Sequence, residues 1–210
     1  MNGRELNGGA RSSRESRNLV TETRDYIVSA ISGVGDVGKA TVDAVSGTIA
    51  HTLKGTRSVG AELLGLLVDT ITGAVHAVAD VGGEVGGAAK SIMVGALKGT
   101  QQVGQVGAET VSTSAAAVVK GASEVGGSVA EAAKGAVEGA IEAARDLGMS
   151  AEEAASAAGS GAIQAAGEIS STALHQVQTV MTKTISGVKV MLTEPFRPGS
   201  RNVDRAQPRG

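Results

Sequence analysis

The chain has 210 residues and a net charge of −2, with one Phe, one Tyr, no Trp and no Cys. The lack of cysteine excludes disulfides and thiolate metal sites and fits a reducing, cytoplasmic setting. Few aromatics, and 31 Gly among apolar residues that are mostly Ala and Val, argue against a compact core of ordinary density.

Residues 1–20 form a polar tail with four Arg and two Glu and no apolar segment of the signal-peptide kind. A disordered tail is expected there. From Thr21 the chain enters a repeat. Cutting it every 11 residues from Ser32 gives fifteen units without a gap, ending at Phe196, and TETRDYIVSAI (21–31) fits as a sixteenth. The kinship is plain in KGTRSVGAELL (54–64), KGTQQVGQVGA (98–108), KGASEVGGSVA (120–130) and EAAKGAVEGAI (131–141).

Eleven residues over three turns is about 3.67 per turn, close to the helical 3.6, so one face stays aligned along the whole pattern. Numbering each unit from its first residue, columns 3, 6, 7, 10 and 11 are mostly apolar or small, and columns 1, 4, 5, 8 and 9 hold nearly all the charges. On a helical wheel these sets form two contiguous arcs, which is an amphipathic helix. The structural rival is a β-solenoid with 22-residue coils, suggested by the Val, Thr and Gly content. Abundant Ala, Glu and Lys oppose it. The expected fold class is all-α: a long hendecad-repeat helix or helices, either extended or folded back as a hairpin or bundle.

A 22-residue period overlies the 11-residue one. Column 7 is Gly in alternate units, at Gly38, Gly60, Gly82, Gly104, Gly126 and Gly148, each preceded by Val37, Val59, Val81, Val103, Val125 or Leu147. The Val and Leu side chains are expected to form a buried stripe, and the glycines to be points of close helix approach. The repeat segment holds 26 Gly, and at about 0.8–1 kcal/mol each relative to Ala an isolated helix is marginal in water. It needs a surface: lipid, another copy, or its own folded-back partner.

Two places read as breaks. Gly82-Gly83 with Gly86-Gly87 is one. At the other, Leu147-Gly148 reads as a helix stop, and Ser150 with Glu153 as a capping box that starts the next helix. Pro195 and Pro198 end the pattern, and residues 197–210, with four Arg and one Asp, are expected to be disordered.

Several motifs imitate catalytic chemistry. Gly33-Val34-Gly35-Asp36-Val37-Gly38-Lys39 approximates a phosphate-binding loop, but Ala40 stands where a magnesium-binding hydroxyl is needed. The repeat accounts for it, because Gly38 is a column-7 glycine. His51, His76 and His175 fall in polar columns and never at i, i+4, so no convergent metal site is expected. Glu152-Glu153 suits the first turn of a helix. No nucleophile constellation stands out, and no catalytic, cofactor or metal residue is assigned. The segment between the tails carries 11 basic and 18 acidic residues, which with the lack of stacking aromatics weighs against nucleic acid. No stretch approaches 18 uncharged apolar residues, so no transmembrane segment is expected.

The Lys-Gly-Thr starts, the Val-Gly centres and Ala-Ala-Lys-Gly-Ala-Val-Glu-Gly (132–139) resemble the hendecad helices of synucleins. At the level of period and composition, residues 21–196 also resemble perilipin-like lipid-droplet proteins, exchangeable apolipoproteins and group 3 late-embryogenesis-abundant proteins. The resemblance implies folding onto an apolar–water interface.

Three non-enzymatic roles follow as expectations. The helix coats a membrane, lipid droplet or storage granule; or it self-assembles as a structural bundle or filament; or it is a stress protectant that becomes helical on drying. The expected partner is accordingly a lipid or granule surface, or a second copy of the chain.

Overall fold

The computed structural model describes residues 18, 20–22, 24–29, 37–54, 61–102, 104 and 107–190. They are almost wholly helical. A first helical stretch, α1 (24–29), is followed by α2 (Val37–Lys54), α3 (Ala61–Asp80), α4 (Val85–Gln101), α5 (Ala108–Glu124), α6 (Val129–Leu147), α7 (Ala151–Ile169) and α8 (Ser171–Met181). A two-stranded antiparallel hairpin, β1 (Thr184–Ile185) and β2 (Val188–Lys189), ends the described chain. The fold is all-α, and folded back many times. Neither a single long helix nor a β-solenoid is present, although the 11-residue register can be written on to Phe196.

The turns explain the 22-residue period. α3, α5 and α6 each end on a glycine in the left-handed region: Gly82 (φ 72), Gly126 (φ 72) and Gly148 (φ 70). There the amide that follows the glycine reaches back to the last turn, with Gly83 N donating to Val78 O at 2.8 Å, Gly127 N to Ala122 O at 2.7 Å and Met149 N to Ala144 O at 3.0 Å. These are Schellman closures, and glycine is the residue that adopts their geometry without a Cβ penalty. Gly104 (φ 73), after α4, is the fourth of the series. After Gly126 and Gly148 the next helix starts from a serine. Ser128 accepts from Glu131 N at 3.3 Å, and Ser150 accepts from Glu153 N at 3.1 Å. At the following register position stands Ser170 instead of glycine. Its backbone is extended, and its hydroxyl accepts from Ala173 N at 3.0 Å, so α7 and α8 are separated by a single residue.

Each of α2 to α7 packs most extensively on a helix two places along the chain, while α8 rests on α7 and α6. α2, α4, α6 and α8 therefore make one layer and α3, α5 and α7 a second, with the chain crossing between them at every turn. This is the one-dimensional logic of a repeat stack. The hairpin closes one end, β1 against α6 and β2 against α7. Its turn, Ser186 (φ 49) and Gly187 (φ 81), has the two left-handed residues of a tight antiparallel reversal.

The expectation that Ala, Val and Gly cannot build a compact core is corrected here. In α7 every buried residue is Ala or Gly, and in α6 all but Val137 are. Such small residues fill space because the helices approach until backbone touches backbone. A Cβ added at Gly139 would lie 2.6 Å from Lys90 O and 2.7 Å from Met93 Cβ, and one at Gly95 would lie 2.8 Å from Val42 O. Gly99 against Ile49, Gly135 against Ala89 and Gly161 against the carbonyl of Ser112 are equally close. Larger side chains enter toward the other end, where Ile49, Leu67, Ile71, Ile92, Met93 and Leu97 are fully buried.

Two glycines separate these roles experimentally. At Gly126, which faces open space, Gly126→Ala and Gly126→Leu each lower stability by about 1–2 kcal/mol, with little dependence on side-chain size. At Gly139 the cost rises with size, from about 2 kcal/mol for Gly139→Ala to loss of the folded stack for Gly139→Leu. Urea unfolding followed by far-UV circular dichroism measures both series.

Candidate functional site

Among the described residues, those expected to form an apolar stripe do not form one. Val81 is exposed, Val125 and Leu147 are half-buried, and all three sit in turns or at helix ends. Val37 opens α2; Val59 and Val103 lie outside the described residues. The paired glycines are corrected likewise. A Cβ at Gly82, Gly104, Gly126 or Gly148 would meet nothing within 4 Å, so these are turn glycines and not points of close approach. Gly38 lies in the first turn of α2, and Gly60 is outside the described residues. Most close approaches fall instead at columns 2, 5 and 9 of the 11-residue unit, at Gly99 and Gly121, Gly135, and Gly95, Gly139 and Gly161, with Gly86 against Glu131 in column 11. A helix with neighbours on several sides buries more of its circumference than one apolar arc.

What the fold offers to the outside is the outer face of each layer. Residues 44 apart occupy equivalent places in one layer, two helices being one full repeat of the stack. A ladder of ion pairs runs along the α1–α3–α5–α7 side on this spacing. Asp80 and Glu124 end their helices, and Glu168, at the equivalent position, is next to last in α7. Arg24 pairs with Asp80, His76 Nε2 lies 3.2 Å from Glu124, and Lys120 Nζ lies 2.5 Å from Glu168. His76 and Lys120 are themselves 44 apart. The other layer carries Lys90–Glu142 at 2.7 Å, between α4 and α6, and the within-helix pair Lys134–Glu138 at 3.7 Å. Every one of these groups is at least partly open to water, where such pairs are individually weak.

Two titrations are displaced by this ladder. The hydrogen bond from Lys120, then its charge, and then the amide of Gln164 hold the Glu168 carboxyl below its ordinary range. The hydrogen bond to Glu142 raises the Lys90 ammonium, with the charges of Glu142 and Glu138 adding to it and partial burial opposing.

Beside the Lys120–Glu168 rung is an open groove of about 220 Å³ across α3, α5 and α7. Val68, Ala116, Ala117 and Ala165 give it apolar walls, and Ser112 and Gln164 add polar ones. It holds no cluster of groups arranged for acid–base or nucleophilic chemistry. His51 and His175 are exposed and apart, and the described residues contain no group of three or more His, Asp or Glu placed to hold a metal ion. Lys39 of the phosphate-loop-like segment lies in the first turn of α2, and residues 33–36 are outside the described residues.

Among the described residues one helix is long and apolar enough to cross a membrane: α3 over Leu63–Asp80, with mean hydropathy 1.4 across 18 residues. Half of that window is buried inside the stack. The window includes Asp69 and Asp80, which is why a search for uncharged apolar runs passes over it.

The ladder is a signal that an 11-residue cut obscures. Read at 44 residues, Asp80, Glu124 and Glu168 align, as do His76 and Lys120. No family model matches the chain, and no match was found among curated proteins or solved structures.

Lys120→Met returns the Glu168 carboxyl toward its ordinary pKa of 4.5, seen as an upward shift of its midpoint by carbon-13 NMR. Because the folded value is depressed, the pair's contribution is present above the ordinary pKa and is lost as pH falls through the lowered one.

Proposed function

We propose that the chain is a non-enzymatic structural repeat protein. It uses its amphipathic helices to build a self-contained two-layer stack and acts through the outer faces of that stack. The observation that carries this reading is the contact of Gly139 with the carbonyl of Lys90, repeated in kind at Gly95, Gly135 and Gly161. A helix lying on lipid gains about 0.8 kcal/mol for each buried methylene and nothing from a glycine, so such a face has no use for glycines aligned with another backbone. A helix lying on a helix gains dispersion contacts from each one. The partner surface that an isolated glycine-rich helix needs is thus supplied by the helix two places away. Among the described residues, Tyr26 and Val81 are the large apolar side chains left exposed, which further supports a stack closed on itself.

Dilute, lipid-free protein is expected to be fully helical by far-UV circular dichroism. That signal does not change over a hundredfold concentration range, and the protein sediments as a monomer. Helix that forms only on adding lipid would refute the reading in favour of a surface coat. Helix that forms only at high concentration would replace it with intermolecular assembly.

The second reading is the coat of a membrane, lipid droplet or storage granule. One observation favours it: the hydropathy of α3, which exceeds what the rest of its layer carries.

A further inference from the structure

We infer that the outer edge of α2 is a dimerisation face, on which a second copy of the chain lays its own α2 in the antiparallel direction. The inference goes beyond the structural reading and rests on it, because the face exists only on a closed stack.

Helices of the stack turn contact glycines toward the helix before them in their layer. Gly95 and Gly99 of α4 meet α2, Gly135 and Gly139 of α6 meet α4, Gly121 of α5 meets α3, and Gly161 of α7 meets α5. α2 is the first helix of its layer and carries the same side. Gly47 holds in α2 the place of Gly135 in α6, two 44-residue repeats on. A Cβ at Gly135 would lie 2.9 Å from both Ala89 Cβ and Gly86 O, whereas one at Gly47 would meet nothing within 4 Å. His51 likewise holds the place of Gly95 and Gly139; they are buried and it is exposed. In the other layer Arg24 of α1 pairs with Asp80, so α3 has a neighbour on the corresponding side, which Gly47 lacks. A glycine inside a helix lowers its stability relative to alanine, and elsewhere in the stack a close contact offsets this. At Gly47 the stack supplies no contact. The repeat does not demand glycine there either, since the equivalent residue of α4 is Ser91. Gly65 of α3 is open too, but its equivalents Glu109 and Glu153 are exposed, so no helix packs at that place in the repeat.

Charge identifies the occupant. Asp43, Gly47 and His51 are all exposed and follow one another at intervals of four, so they form one row of α2 with the glycine at its centre. When two copies of that row cross antiparallel at Gly47, each Asp43 lies opposite the partner's His51, and an imidazole N–H donates to a carboxylate at both ends. Neither residue forms an ion pair with another described residue of its own chain. The contact is isologous: one patch is complementary to itself and closes at two copies. A parallel crossing would instead set Asp43 against Asp43. One helix edge is less area than a stable dimer buries, so the dimer belongs to concentrated protein, and the dilute chain is the monomer described above.

Sedimentation equilibrium of the full chain, from dilute protein up to about 1 mM, tests this alongside circular dichroism and urea unfolding. The unmodified chain is expected to pass from monomer to dimer with a dissociation constant on the order of 0.1 mM, and to go no further. Gly47→Leu is expected to keep or raise the urea midpoint, because the monomer has open space for the side chain, yet to weaken the dimer about tenfold or more. Asp43→Lys is expected to weaken it about fivefold, and Asp43→Lys combined with His51→Asp to restore it with the signs exchanged. A dimer undiminished by Gly47→Leu, or indifferent to Asp43→Lys, overturns the assignment, and association beyond two copies overturns the isologous pairing. A monomer destabilised by Gly47→Leu would mean that the face is covered within its own chain, which overturns it as well. A chain that is helical but monomeric at every concentration defeats the dimer and leaves the stack standing. A chain without helix when dilute defeats the stack itself, and the dimer with it.

Discussion

The whole architecture depends on how closely two helix backbones come together. Between second neighbours in the chain the approach is set by glycine and alanine, and at Gly139, Gly135, Gly95 and Gly161 there is no room for another carbon. That single constraint determines the rest. Close approach lets residues with almost no side chain form a dense interior, and a dense interior offsets the entropic cost of so many glycines in helices.

Turns and packing contacts use the same amino acid for opposite reasons. Gly82, Gly126 and Gly148 are glycines because the backbone turns left-handed, and they touch nothing. Gly139 and Gly161 are glycines because something already stands where a side chain would go. Composition cannot separate these two roles, since both simply count as glycine. Position relative to the helix end separates them. A Val-Gly or Leu-Gly pair followed by a serine and, three residues later, a glutamate marks a chain reversal, as at Leu147-Gly148 with Ser150 and Glu153.

This explains what could be read from the residues and what could not. The helical class, the break at Gly148 and the capping box at Ser150 follow from local chemistry and were legible at Ser150 and Glu153 themselves. The 22-residue period was legible too, but its cause was not. Taken as one continuous helix, the chain puts Val81 and Val125 on a stripe; once it folds back at Gly82 and Gly126, those residues lie in turns. The contact glycines in columns 5 and 9 were hidden because those columns also carry charge, and a single amphipathic arc has no place for burial there. Which side of Gly135 faces a neighbour depends on a helix some 45 residues earlier, and that is tertiary information. The hairpin at Thr184–Lys189 has only Ser186-Gly187 to announce it.

The repeat also governs how such a chain can change length. An 11-residue insertion would carry a left-handed glycine into the middle of a helix and a buried contact into a turn. A 22-residue insertion would preserve every turn but send all later helices to the opposite layer, so that Glu124 no longer faced His76. Only 44 residues, one helix in each layer, return both the turns and the ion-pair ladder to their partners. Growth or loss of the stack is therefore quantised in helix pairs. The molecule is in effect a ruler whose smallest graduation is 44 residues.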